Sequence, residues 1–483
     1  SAVETLGSAT VICTDKTGTL TENRMTVQEY FLANDLVIKF SDDEKENLPD
    51  EDLRRLLRVS VLCNEASFDS QTTDGKQPIG DPTETALLAA AHRFGVNISD
   101  ERSHYKKLFE APFDSVAKRM ITVSEGEDGK QFAAIKGAPA VILKASQSYV
   151  GSNGDVLPLN DAKRDEFIKI NDGMADRALR VLAFAEKPLD GKFVPDSTEV
   201  DSGYTFLGFT GMIDPPRGGV AEAVRIAQSA GIRVVMLTGD QINTARAVAA
   251  ELKLSNGQDI FALHSDDLKN SDSEELAKMA LKSHVFARVT PEDKLRIVEA
   301  LQKAGETVAV TGDGVNDAPA LKRADIGIVM GLRGTEVAKE AADIVLTDDN
   351  FSTIVKAIEG GRTIYANITK FVHWMFSSNL AEVILIFVPI ATGFPLPLMP
   401  LQILWVNLVT DIFPALALAV EPASAETMNR PPNSAKENFL SKKFLFLMSW
   451  QSLMLGAIAI TAYFWALQAY GEGSHARTVA LLA

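Results

Sequence analysis

Three short apolar runs in this chain each break off at an acidic turn, and that repeated shape narrows the fold more than any other feature. ATVICT (9–14) ends at Asp15, IRVVML (232–237) runs into a TGD turn with Asp240, and TVAV (307–310) runs into TGDGVND with Asp313 and Asp317. A weaker fourth run, ADIGIVMG, covers 324–331. Continuous apolar runs of this length suit strands buried on both faces of a parallel sheet. Helical patterns separate them, such as GVAEAVRIAQSAG before the second run and PEDKLRIVEALQKAG before the third. The alternation predicts a doubly wound α/β sheet, with ligands beyond the carboxyl ends of the strands. Each acidic turn falls at such an end.

Those turns carry chemistry. A carboxylate at a strand tip, followed by Lys16 and the glycine turn of DKTGTLT (15–21), can attack a phosphoryl group and become an aspartyl phosphate. Backbone N–H groups of such a turn can receive phosphate oxygens. Thr238, Gly239 and Asp240 offer a hydroxyl and further donors at the second strand end, and Lys294 offers positive charge. Asp313 and Asp317 offer hard oxygens to Mg²⁺, an ion held by one or two carboxylates together with substrate oxygens and water. Positioning and charge neutralisation are most of what phosphoryl transfer asks of a protein.

Between 28 and 207 the texture changes to short strands and helices with turn clusters such as DGKQPIGDP and SEGEDGKQ, which predicts an inserted α/β domain. The acidic stretch SDDEKENLPDED near residue 45 reads as a solvated loop. Beyond Lys370 charge almost vanishes: between 371 and 420 the only acidic residues are Glu382 and Asp411, and 444–470 carries no charge. These stretches predict three membrane helices at about 366–394, 398–420 and 444–470. EPASAETMNRPPNSAKENFL (421–440) reads as a polar connection between the second and third. With 64 acidic against 48 basic side chains the formal net charge is −16, and no basic stripe is present, which argues against nucleic acid as a partner. Cys13 and Cys63 lack metal-ligand spacing and suit a reduced, cytosolic setting. The chain opens directly into a motif without a start methionine, as expected of a piece of something longer.

DKTGTLT, KGAP, DPPR, MLTGD and TGDGVNDAP, in this order, resemble the signature set of the P-type ATPases, and the predicted sheet resembles the haloacid-dehalogenase-like fold of those pumps. The resemblance implies a phosphorylation domain over 1–27 and 208–365, a nucleotide-binding domain over 28–207 and a transmembrane region over 366–483. It implies Asp15 as phosphoryl acceptor, served by Lys16, Thr17, Thr238, Gly239, Asp240, Lys294, Asp313, Asn316 and Asp317, with Mg²⁺ at Asp15, Thr17 and Asp313. It assigns ATP contacts to Glu84, Phe113, Lys118, Lys136 and Arg180, with Asp214, Arg217 and Arg288 in support. No Gly-x-x-x-x-Gly-Lys-Ser/Thr loop competes for that role. Soluble phosphatases of the superfamily usually carry a second Asp two positions after the nucleophile. Thr17 stands there instead, and the loss of a local acid/base should prolong the phosphoenzyme.

In the apolar region, Asn379 and Glu382 share one helix face, and Asn407, Thr410 and Asp411 share another. Intramembrane carboxylates mark an ion pathway by default, and an all-oxygen set suits a hard cation. SSNLAE and WVNLVTD resemble segments of the sarcoplasmic-reticulum-type calcium pumps, and Asn407 favours calcium over the sodium branch, where an acid is typical. A sodium or other cation pump of the same family, and a non-transporting ATP-binding fragment, are the alternatives. A membrane-tethered soluble-type phosphatase is opposed by Thr17 and the intramembrane acids. The resemblance also implies that four earlier membrane helices and a dephosphorylating domain belong to the missing N-terminal part of the same pump. This chain alone would therefore not transport. Residues 1–370 and 421–440 should be cytosolic, in contact with ATP, while the remainder meets lipid.

Overall fold

The computed structural model describes residues 2–40, 51–68, 78–194, 198–269, 271–432, 441–471 and 473–482. A seven-stranded sheet runs Ala262–His264, Val285–Ala287, Arg233–Thr238, Val11–Asp15, Val308–Gly312, Ile326–Met330, Ile344–Leu346, and every pairing is parallel. All four apolar runs are strands of it, and Asp15 ends the central one. Side chains alternate between faces, as the two-residue period of a strand requires. Ile12, Val234, Met236 and Ile328 enter one core with Val224, Val248, Phe351 and Ile358. Val11, Cys13, Val235, Leu237 and Val329 enter the other with Ile297, Val298 and Leu301. Helices cover both faces, so the doubly wound expectation holds. Each fully buried Leu, Ile or Val here stabilises by roughly 1.5–3 kcal/mol relative to exposure.

The second sheet is mixed and mostly antiparallel: Val156–Pro158, Ser146–Val150, Tyr204–Ile213, Arg180–Leu189, Gln131–Gly137, Arg119–Gly126, Tyr105–Asp114, with Thr26–Leu32 and Val37–Lys39 branching from Tyr204–Ile213. The strands by which the chain reaches and leaves this sheet are neighbours, with Thr26 opposite Ile213. Both expected domain boundaries, 27/28 and 207/208, fall inside those two strands; sheet membership changes before Thr26 and after Ile213. Of the acidic stretch, 41–50 lies outside the described residues. Its last acid, Asp52, is not a loop residue: it is 8% exposed in the helix Glu51–Leu62, where it accepts from the Asn34 amide at 2.9 Å.

Phe351–Thr392 is one helix of 42 residues, about 60 Å long at 1.5 Å per residue. The first apolar helix was expected at 366. The helix instead begins in the core of the seven-stranded sheet, capped by Asn350, whose side chain accepts from Ser352 N at 2.9 Å. Pro400–Ala419 and Lys442–Tyr470 follow near the expected ranges, and all three are long and apolar enough to cross a membrane. Their outer faces are apolar, with Leu401 75% and Phe413 67% exposed. A short helix not foreseen, Ser474–Leu482, packs Ala476 and Ala480 against Tyr463 and Ala466. Residues 433–440 of the polar connection lie outside the described residues. Its earlier part is tied to the long helix by Lys370, which donates to Glu421 at 2.7 Å.

The long helix is locked to the rest of the head at Gly361 and Arg362. A β-carbon on Gly361 would fall 2.1 Å from the Val3 carbonyl oxygen, so glycine permits the close crossing of helix Ala2–Gly7. Arg362 donates to the carbonyls of Gly7 (3.2 Å), Ala230 (2.9 Å), Thr427 (3.2 Å) and Arg430 (2.8 Å).

Candidate phosphoryl-transfer and cation sites

Lys294 is placed by its helix. Thr290 and Asp293 form a reciprocal capping box at the start of Pro291–Lys303, with Pro291 in the first turn, and this turns Lys294 inward. Its ammonium donates to Asp15 Oδ2 and to Asp317 Oδ1, both at 2.7 Å. Asp317 Oδ2 accepts from the backbone N–H groups of Asp313 (3.2 Å) and Gly314 (3.1 Å). Both Asp317 oxygens are therefore engaged, one by Lys294 and one by the turn, while the half-buried Asp313 carboxylate lies beside Gly18. Lys16 pairs with Asp240, whose N–H donates to Thr238 Oγ1 at 3.1 Å. Thr17, Gly239, Asn316 and Arg288 are exposed at the same strand ends, and Arg288 N donates to the Asp240 carbonyl at 3.1 Å.

Gly18 sits at φ +78°, and a β-carbon there would lie 3.0 Å from Asp313 Oδ2, so the turn needs glycine on both counts. Arg217 holds this turn from behind, donating to the carbonyls of Gly18 (2.8 Å), Thr21 (2.9 Å) and Asp349 (2.8 Å). Asp214 accepts from Thr21 Oγ1 at 2.6 Å and Arg24 N at 3.1 Å, which joins the two connections between the sheets. Asp214 and Arg217 thus support the turn, and Arg217 also lines a cleft shared with Thr85, Ala89 and Arg93.

Electrostatics follow the packing. Burial pushes the Asp15 carboxyl above its usual range, opposed chiefly by the Lys294 ammonium. Burial also raises Asp313, and the negative charges of Asp15 and Asp317 add to the effect. Lys294 loses from burial but gains more from its two carboxylates, and is held above the ordinary lysine value. A site that disfavours its own carboxylate charge, with the hard oxygens of Asp15 and Asp313 at one strand-end cluster, fits a divalent cation. Among the described residues no three acidic, His or Cys side chains converge as a ready metal cage. Mg²⁺ needs no such cage when phosphate oxygens and water complete its shell.

In the second sheet, Lys136 Nζ donates to Glu84 Oε1 at 2.5 Å, and both side chains are largely buried. Glu84 Oε2 accepts from Glu65 N (3.0 Å) and Ala66 N (3.2 Å). A β-carbon on Gly137 would lie 2.4 Å from the Lys118 carbonyl oxygen, so the glycine of KGAP lets its strand close on the Lys118 turn. The register runs Ala183 to Gly137 to Arg119 to Asp114. It brings Phe113, Lys118, Lys136 and Arg180 to one end of the sheet. Phe113 is 58% exposed there, open to stacking rather than buried as core.

Between the apolar helices, the Asn407 amide lies 2.8 Å from both carboxylate oxygens of Glu382, and it donates to them when its nitrogen is assigned to that side. Asp411 Oδ1 is buried and finds no hydrogen-bond partner among the described residues. Asn379 lies one turn before Glu382 and is half-buried. The Thr410 side chain lies outside the described residues. Sequence reasoning missed Arg333 and Arg362; both act on groups far away in the chain, and no local pattern marks them.

A family model for the P-type ATPase cytoplasmic domain N matches residues 52–219, one for haloacid dehalogenase-like hydrolases matches 292–358, and one for the cation transporting ATPase C-terminus matches 395–483. The chain is 43% identical over 465 residues to calcium-transporting ATPase 1 of Bacillus cereus, covering 96% of this chain and 50% of that protein. It is 40% identical to the calcium-transporting ATPase of Bacillus subtilis (96% and 53%) and 40% identical to calcium-transporting ATPase 2, plasma membrane-type, of Arabidopsis thaliana (98% and 46%). The chain thus spans about half the length of the curated relatives it matches. Three family models along one chain, and relatives similar over nearly all of it, make it a member of the P-type cation ATPases.

Proposed function

We propose that this chain carries the phosphorylation, nucleotide-binding and part of the membrane machinery of an ATP-driven cation pump, with calcium as the transported ion. The observation that carries this reading is the Asp15–Lys294–Asp317 bridge at the tip of the central strand. Asp15 is the nucleophile. Lys294 holds its carboxylate in place and balances charge as the γ-phosphoryl group arrives, while Asp317 fixes Lys294 and the 313–314 turn. Asp15, Thr17 and Asp313 would hold Mg²⁺, which neutralises phosphate charge when bound. Lys16, Thr238, Gly239 and Asp240 line the phosphoryl position, with Asn316 at its rim. Glu84, Phe113, Lys118, Lys136 and Arg180 take the nucleotide, and hinge movement at Asp214 and Arg217 would bring it to Asp15.

Calcium rests on the oxygen set Asn379, Glu382, Asn407, Thr410 and Asp411, and on the calcium-transporting ATPases among the relatives. Calcium accepts six to eight oxygens in flexible geometry, and the unpartnered Asp411 oxygen is available to such an ion. The head and the 421–440 connection would face the cytosol, and Arg430, Lys442 and Lys443 agree with that side.

The test is phosphorylation of the full-length pump by labelled ATP with Mg²⁺ and calcium. The label should be acid-stable and hydroxylamine-sensitive, and Asp15→Asn should abolish it while ATP still binds. Label surviving in Asp15→Asn would remove Asp15 as the acceptor.

A further inference from the structure

Arg333 has no role in the proposal above, yet it stands beside the same turn. Its side chain is exposed at the strand ends, and Nη1 lies 3.8 Å from where a β-carbon on Gly18 would be, close to the 3.0 Å approach of Asp313 Oδ2 to that point. The side chain is not free to wander. Nη1 donates to the Glu22 carbonyl at 3.1 Å, and the backbone N–H is held by Asp349 Oδ2 at 3.0 Å. Asp349 in turn accepts from Leu332 N at 2.9 Å and is itself 2% exposed, so the loop has a buried anchor. Glu22 and Gly18 both belong to the segment that follows Asp15. Arg333 is thus held by one side-chain contact to the segment after Asp15 and one backbone contact to a buried anchor. Among the described residues no carboxylate pairs with its guanidinium.

We propose that Arg333 is a positioning residue for phosphoryl transfer, whose fixed positive charge strengthens phosphate binding at the Asp15 turn and weakens Mg²⁺ binding at Asp313. The inference rests on the reading of Asp15 as phosphoryl acceptor. The two effects have opposite sign because they act on ligands of opposite charge in one field. Arg333 already draws down the acidity penalty on Asp313 that Asp15 and Asp317 impose. A phosphate dianion gains from the same guanidinium charge at a distance or across a water. The charge supports the incoming phosphoryl group without occupying a metal ligand.

Inorganic phosphate and Mg²⁺, titrated separately into the whole chain in detergent and followed by calorimetry, test this without turnover. Arg333→Ala should weaken phosphate binding and tighten Mg²⁺ binding, each on the order of threefold to tenfold, the scale of one partly solvated charge a few ångströms away. Both changes should shrink as salt is raised. Arg333→Lys should keep both affinities near those of the parent. Loss of a merely structural contact would move both affinities the same way, and that result, or no change in either, overturns the inference. The phosphorylation reading has its own arm. If Asp15→Asn still takes label from ATP, that reading fails; if the label is lost while Arg333→Ala leaves both affinities unmoved, only the role of Arg333 fails.

Discussion

Asp15 and Asp317 share one ammonium group: Lys294 donates to an oxygen of each at 2.7 Å, on side chains drawn from three separate strand ends and helices. The sharing means that neither carboxylate is balanced alone. Removing Lys294 leaves two negative groups, one of them nearly buried, with no common counter-charge.

Lys294→Met should therefore cost both stability and rate. The stability loss should be roughly 3–5 kcal/mol, the usual penalty for stranding one side of a buried ion pair. Chemical denaturation of the chain in detergent measures the first effect, and phosphoenzyme formation in the full-length pump measures the second. Lys294→Arg should recover much of the stability and less of the rate, because a guanidinium fork does not fit a point-charge position.

Asp313 gives a pH-dependent expectation. Its carboxyl is raised by burial and by its acidic neighbours, so the ionised form is disfavoured in the fold. For an acid raised on folding, the penalty is absent below the unfolded value, about 3.9, and is complete above the folded value. Asp313→Asn should then raise the unfolding temperature of the ligand-free chain at pH 7, and the gain should fade as pH falls toward 4. The same variant should lose protection by Mg²⁺. Thermal unfolding with and without the ion checks both.

Lys136 and Gly137 separate charge from shape in the nucleotide domain. Lys136→Ala should weaken ATP binding by about tenfold and also lower stability, because the largely buried Glu84 keeps two N–H donors but loses its counter-charge. Gly137→Ala should destabilise by roughly 1–3 kcal/mol, since its β-carbon meets the Lys118 carbonyl with no flexible group to yield. ATP titration and denaturant unfolding on both variants distinguish the two effects.

Arg362 satisfies four carbonyls from three segments, so Arg362→Ala should loosen the junction between head and long helix. A loss of roughly 2–4 kcal/mol is expected from that many charged hydrogen bonds. In the full-length pump the variant should still form phosphoenzyme while its dependence on calcium blunts. Calcium titration of phosphorylation measures this coupling.

Glu382→Gln and Asp411→Asn should each lower apparent calcium affinity at least about tenfold in the full-length pump, because each removes a charge from a site with few. Stimulation by sodium with indifference to calcium would withdraw the ion assignment and leave the family unchanged.

The strand-end acids, the three apolar helices and the family were legible because each is written locally: an apolar run, a turn, an uncharged stretch. Phe351 as the start of the long helix was not. Lys356, Glu359 and Arg362 make its first turns read as a soluble segment, and only packing under the seven-stranded sheet continues it into the membrane-spanning part. The same limit hid Arg333, whose contact with Glu22 spans most of the chain. It also hid the division of labour between Asp313 and Asp317, which the sequence presents as equivalent acids. Which one turns inward is decided by Lys294 and by two backbone N–H groups.

The pairing of Thr26 with Ile213 has a consequence for how the chain tolerates change. From the standpoint of the seven-stranded sheet, everything between those residues is a hairpin insert whose ends are already clasped together. The entropy of closing that long loop is met by the ladder and by Asp214, whatever folds within it. Damage confined to the inserted lobe should leave Asp15 and Lys294 in register. The lobe could be replaced by a short turn, or exchanged for the corresponding lobe of a relative, without redrawing the sheet that holds the nucleophile.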